Sequence, residues 1–155
     1  AIGDGPLAMK TVLTAGKALL IALLVGCAAP EGPEQAIRKN IEGLETALAE
    51  RNPGDALDTL ADSFLGGKAG QLDMDKEDAR KMLAVYFLRY HKIRIVVTQV
   101  EVQLDPYEPA LAQATASVAL AGGERLLPNS AGFYQVESRW REIDGDWKIT
   151  RLQWR

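Results

Sequence analysis

The stretch Trp140-Arg141-Glu142-Ile143-Asp144-Gly145-Asp146-Trp147-Lys148-Ile149 constrains this chain more than any other part of it. A type I′ turn needs positive φ at both central residues, which Gly takes freely and Asp tolerates, and apolar residues flank Asp144-Gly145 at short range on both sides. The spacing predicts a closing β-hairpin. In its second strand Trp147 and Ile149 share one parity while Leu152 and Trp154 share the other. A side-chain period of two cannot do that without a switch of face near Thr150-Arg151.

Upstream, residues 92–104 place Ile93 and Ile95 on one parity and Val100, Val102 and Leu104 on the other, which predicts a bulge or sharp coil near Val97. Residues 110–121 alternate Ala112, Ala114, Ala116, Val118 and Leu120 with Gln113, Thr115 and Ser117, the pattern of a half-buried strand. Its inward residues are small, which leaves space beneath a sheet. A loop over 122–130 leads into a strand over 133–143, which runs on into the hairpin.

The first part of the domain has the helical period instead. Ile37, Ile41, Leu44 and Leu48 make one apolar stripe between Pro33, suited to a first turn, and the stop Asn52-Pro53. Leu57, Leu60, Ala61 and Phe64 repeat the period over 53–64, and the flexible run Gly66-Gly67-Lys68-Ala69-Gly70 ends that helix. A third begins after Asp75, a cap residue followed by Glu77 and Asp78 at the positive end of the dipole, and carries Met82, Leu83, Tyr86, Phe87 and Tyr90 on one face. The expected fold class is α+β, with three N-terminal helices packed on a strongly bent, cone-shaped, four-stranded antiparallel meander sheet over residues 33–155.

Residues 1–26 read differently. Lys10 and Lys17 precede the apolar run Ala18-Leu19-Leu20-Ile21-Ala22-Leu23-Leu24-Val25, which is too short for a bilayer-spanning helix of about 20 residues and fits the core of a secretory signal. Leu24-Val25-Gly26-Cys27 then resembles the bacterial lipobox. That resemblance implies removal of residues 1–26 as a signal peptide and lipidation at Cys27. It also implies a membrane partner held through that lipid, and a cell-envelope location facing the periplasm. Several acyl chains make a stable anchor. Residues 27–32, with Pro30 and Gly32, read as the lipidated tether, and residues 1–8, ahead of the first Met, are left out of the fold reading.

The order of elements, the bent first strand of the sheet and the closing Trp140…Asp144-Gly145-Asp146-Trp147-Lys148-Ile149 resemble the nuclear-transport-factor-two-like superfamily, the cystatin-like cone that includes SnoaL-like proteins and ketosteroid isomerase. The resemblance implies a pocket between helices and curved sheet. It carries no chemistry with it, because unrelated activities share the fold. Ketosteroid isomerase would imply a Tyr on the first helix and a pair of pocket Asp residues, yet that helix offers Ile37, Ile41, Leu44 and Leu48 and no Tyr. Dehydratase members would imply more than one His, and this chain has only His91.

The pocket candidates are Tyr86, Tyr90, Tyr134, Trp140 and Trp154, apolar bodies with polar tips, although the same spacings suit ordinary core packing. His91, at a helix-to-strand junction, is the one weak catalytic candidate. Arg139, Arg141 and Arg151 would make a basic patch suited to a carboxylate, or pair with Glu137 and Glu142 on a solvated face. One His and one Cys are too few for a zinc site, no glycine-rich phosphate loop is present, and no cofactor is expected. A net charge of −3 spread over 18 basic and 21 acidic residues gives no field to attract nucleic acid, so that partner is excluded. The expectation is a lipid-anchored, non-catalytic envelope domain that binds a small apolar ligand or a protein partner. The alternatives are a ketosteroid isomerase- or dehydratase-like enzyme using His91 with a nearby Asp or Tyr, and a dimeric assembly module that pairs through the sheet face.

Overall fold

The computed structural model describes residues 29–122 and 131–155. The leader over 1–26, Cys27 and loop residues 123–130 lie outside the described residues. Helix α1 (Pro33–Ala49) opens with Pro at its first position, where a missing N–H costs nothing. Ile37 is fully buried, and Ile41 and Leu44 pack beside it on the core. Two side chains pin the helix across the sheet. Arg38 Nη1 donates to the Val100 carbonyl at 2.8 Å and Asn40 Nδ2 to the Trp147 carbonyl at 3.0 Å. Helix α2 (Pro53–Asp58) follows, capped by Asn52 Oδ1, which accepts from the Asp55 N–H at 3.2 Å.

The expected second helix over 53–64 stops at Asp58, and strand β1 (Leu60–Lys68) begins almost at once. Leu60, Ala61 and Phe64 are buried as expected, but in a strand whose register with its neighbour shifts between Leu60 and Leu65. That irregularity spaces inward residues three and four apart and imitates a helical repeat. Only the end of the glycine run, Ala69-Gly70, is a turn. Gly66 and Gly67 belong to β1, where a Cβ on Gly67 would stand 2.1 Å from the Gln71 carbonyl oxygen of the returning strand β2 (Gln71–Asp75). Glycine here permits close backbone approach.

Helix α3 (Lys76–Arg89) then starts at the expected cap. Asp75 Oδ1 accepts from the Asp78 N–H at 2.8 Å and Asp78 Oδ2 from the Asp75 N–H at 3.3 Å, a reciprocal capping box. The three helices therefore do not all precede the strands, because β1 and β2 stand between α2 and α3.

Strands β3 (Ile93–Leu104), β4 (Leu111–Gly122), β5 (Ala131–Ile143) and β6 (Asp146–Trp154) form the antiparallel meander. The sheet has six strands rather than four, in the order β2-β1-β6-β5-β4-β3. It is mixed, because β1 pairs parallel with β6. Asp144 and Gly145 have φ of 53° and 85°, as a type I′ turn requires. Both face switches are present. The β3 register shifts between Thr98 and Glu101, with Gln99 at φ 52°, and in β6 an extra residue, Thr150, falls between the partners of Arg139 and Trp140. These bulges curl the sheet into a cone-like α+β fold. Its closed end is the core, where Ile37, Leu57, Phe64, Trp140, Trp147 and Ile149 meet.

Candidate functional site

The small residues of β4 do not leave the space beneath the sheet that their size suggests. Ala112 lies directly opposite Trp140 and Ala114 opposite Ser138, and all four side chains are buried. The indole of Trp140 fills that room. Its Nε1–H donates to Ser138 Oγ at 2.8 Å, and Ser138 Oγ donates to the Ala114 carbonyl at 3.3 Å. Trp140 thus belongs to the core.

An opening lies toward the other end of the sheet. Helix α3 packs on α2, β1 and β2, while α1 lies over β3 and β6. Met82, Leu83, Tyr86 and Phe87 of α3 consequently face β3, β4 and β5 across a cleft of about 310 Å³. Leu48 of α1 closes one side, and Ile93, Ile95, Val118, Leu120, Tyr134, Val136 and Trp154 form the sheet wall. A volume near the lower end of the usual range for ligand pockets suits a small ligand or a single chain.

Two glycines make room for tyrosine rings here. A Cβ on Gly132 would sit 2.5 Å from the Tyr134 hydroxyl, and one on Gly122 would sit 2.8 Å from the Tyr90 ring. Tyr90 stacks on Tyr86 with centroids 4.6 Å apart and planes tilted by 52°. Burial, and then the neighbouring Tyr90 and Tyr134 phenols, push the Tyr86 hydroxyl above the ordinary tyrosine value of 10.0. It stays protonated at neutral pH and can donate a hydrogen bond, not abstract a proton.

Of the residues singled out in the sequence, the cleft brings together Tyr86, Tyr134 and Trp154, with Tyr90 beside them and Trp140 apart from them. His91 is exposed after the end of α3, is not among the cleft-lining residues, and offers its carbonyl to Arg51 Nη1 at 3.4 Å. Cys27 lies outside the described residues. Arg139 and Arg151 stand opposite each other on β5 and β6, and Arg141 approaches Glu108 at 3.9 Å. Glu137 accepts from Gln153 Nε2 at 2.7 Å. Among the described residues there is no group of three His, Cys, Asp or Glu placed to hold a metal ion, and no helix is long and apolar enough to cross a membrane.

Sequence reasoning put Leu48, Leu83 and Phe87 on the right helix faces, and Val118 and Leu120 on the right face of the sheet. It did not show that the helices leave them uncovered. Among the described residues, every side chain that lines the cleft is a hydrocarbon, a thioether, an aromatic ring or a phenol. Among the described residues, none that lines the cleft supplies a carboxylate, imidazole or amine.

No protein-family model and no curated protein matches the chain. Solved structures do match. An NTF2-like protein of unknown function from Pseudomonas putida superposes with a TM-score of 0.64 at 18% identity, over 76% of this chain and 82% of that one. A protein of unknown function with a cystatin-like fold from Nostoc punctiforme gives 0.63 at 17%, over 78% and 88%. The hexachlorocyclohexane dehydrochlorinase LinA-type3 of Novosphingobium barchaimii gives 0.64 at 17%, over 79% and 84%. The likeness is one of fold, and the fold is the NTF2-like, cystatin-like cone that the closing hairpin pointed to.

Proposed function

We propose that this NTF2-like cone is a non-catalytic binding domain that takes a small apolar ligand in the cleft between α3 and the sheet. In this reading a lipid on Cys27 holds it at the bacterial cell envelope, facing the periplasm. The observation that carries the binding claim is the cleft wall, which among the described residues is apolar except for the Tyr86 and Tyr134 hydroxyls and the Trp154 indole N–H. Such a wall orients a ligand through one or two hydrogen bonds and holds the rest by burial. The anchoring part rests on Leu24-Val25-Gly26-Cys27 alone. The probe 1-N-phenylnaphthylamine should bind saturably, with enhanced emission and a raised melting temperature, and Val136→Trp, which fills the cleft, should abolish both effects. Saturable binding that survives Val136→Trp, or no binding at all, overturns the claim. Acylation is a separate test, read from the mass of the N-terminal peptide of membrane-extracted protein.

A second reading, an enzyme of the dehydratase or isomerase kind, draws support from the dehydrochlorinase among the fold neighbours. It needs a proton acceptor in the cleft, and His91 is not among the residues that line it. Activity lost in His91→Gln with the melting temperature kept would favour it. A third reading, a dimer through the outer sheet face, draws on Val96, Ala119 and Phe133, which line up in register across β3, β4 and β5. Phe133 is 84% exposed. Sedimentation of wild type and Phe133→Asp at micromolar concentration tests that pairing.

A further inference from the structure

The outward side of α3 combines two features that its burial does not explain. Val85 and Leu88 are 64% and 80% exposed, and Met82 beside them is 47% exposed. Lys81 and Arg89 stand on the same face, at the helical spacings that make neighbours of 81, 85, 88 and 89. Charge is equally one-sided. Between Asp78 and Glu101 the chain carries Arg80, Lys81, Arg89, Lys92 and Arg94 and not one Asp or Glu. The whole chain is acidic, with a net charge of −3, so composition does not account for this run. Arg80 is paired with Glu77 at 3.1 Å and Lys81 approaches Asp78 at 4.0 Å. Arg89 points to no acid among the described residues, and its guanidinium lies 5.8 Å from the centre of the Tyr90 ring.

An apolar stripe edged by Lys and Arg is the composition of a helix that lies in a membrane interface. Its hydrocarbon side chains enter the boundary between headgroups and acyl chains, while the long basic side chains reach lipid phosphates. The stripe also borders the cleft, since Met82 and Tyr86 belong to both. The geometry points to α3 as a docking face for an anionic lipid bilayer, with Val85 and Leu88 inserted at the surface and Lys81, Arg89 and Lys92 on its phosphates. Docked this way, the protein presents the cleft mouth to the lipid. The inference does not depend on acylation of Cys27 or on what the cleft holds. A protein partner with an acidic, apolar groove would fit the same stripe less well, because the basic residues continue past the helix end to Lys92.

The test uses the full chain with Cys27→Ser, reconstituted into vesicles of phosphatidylethanolamine with phosphatidylglycerol, and separately into phosphatidylcholine vesicles. A single cysteine at Leu88→Cys carries an environment-sensitive fluorophore. Tyr107→Cys, 94% exposed in the loop at the far end of β3, is the control. Emission is compared at equal amounts of vesicle-bound protein, measured by flotation, so the label reports docking of α3 and not attachment. In the anionic vesicles the label at 88 should shift to the blue and be quenched by a nitroxide on the lipid chains, while the label at 107 should do neither. Arg89→Gln and Lys92→Gln should each lower the docked ratio about fivefold, and high salt should lower it further. Both are exposed, so circular dichroism should show an unchanged fold. Equal signals at 88 in the two vesicle types, equal signals at 88 and 107, or a blue shift at 88 that grows with protein concentration without vesicles would each overturn the inference.

Discussion

Ser138 shows how one hydroxyl can fix a core. It is the buried polar residue at the closed end of the cone, and it accepts from the Trp140 indole while donating to the Ala114 carbonyl. Ser138→Ala removes the acceptor and leaves a buried indole N–H unpaired, at a cost of about 1–3 kcal/mol. A lower urea midpoint, by that free energy divided by an unchanged urea dependence, is the expected result. Tyr86 makes a second prediction at this scale. Its hydroxyl is held above 10.0 in the folded protein, first by burial. Its contribution to stability is therefore fully present below pH 10.0 and is lost as pH rises above that toward the folded value. In an alkaline titration followed by tyrosinate absorbance, Tyr86→Phe should delete a late-titrating phenol and flatten the loss of stability above pH 10.0.

At the scale of elements, α3 depends on its first turn and on the small hairpin beside it. Of its fourteen residues only Ala79 and Phe87 are buried, so its local cap matters more than in a helix held by a full apolar face. Asp75→Ala removes the carboxylate that accepts from the Asp78 N–H, leaving only the Asp78 carboxylate on the residue-75 N–H, and should cost about 1 kcal/mol. Hydrogen exchange should show the residues of α3 losing protection while those of β4 and β5 keep theirs. Gly67→Ala should do more. A methyl group there meets the Gln71 carbonyl oxygen 2.1 Å away, at a residue with φ of 156°. The β1–β2 turn must open, and α3, which leans on both strands, should loosen with it. The hairpin that made this visible was illegible in the sequence for one reason. Leu60, Ala61 and Phe64 continue the helical period of Leu57 in α2 because a register shift in β1 happens to space them that way.

For the whole molecule, ligand occupancy of the cleft should appear as stability. A ligand that binds only the folded state at a hundred times its dissociation constant raises stability by about 2.7 kcal/mol. Calorimetry with and without 1-N-phenylnaphthylamine would show it as a concentration-dependent melting temperature. The features legible in the residues alone are local and periodic: the Asp144-Gly145 turn, the cap at Asp75, the stripe of α1, and the two face switches in β3 and β6. Each follows from steric preference or from the arithmetic of a period of two or 3.6. That β1 joins the sheet parallel to β6 follows from long-range packing, because the spare hydrogen-bonding edge of β6 lies more than eighty residues away along the chain. The same packing decides that Trp140 fills the hollow over the alanines of β4 while Trp154, on the same curled sheet, faces an open cleft. Nothing local separates those two indoles. The difference lies in what stands opposite each, the core residues around α1 in one case and, in the other, a gap left where α3 leans on a hairpin instead of on the meander.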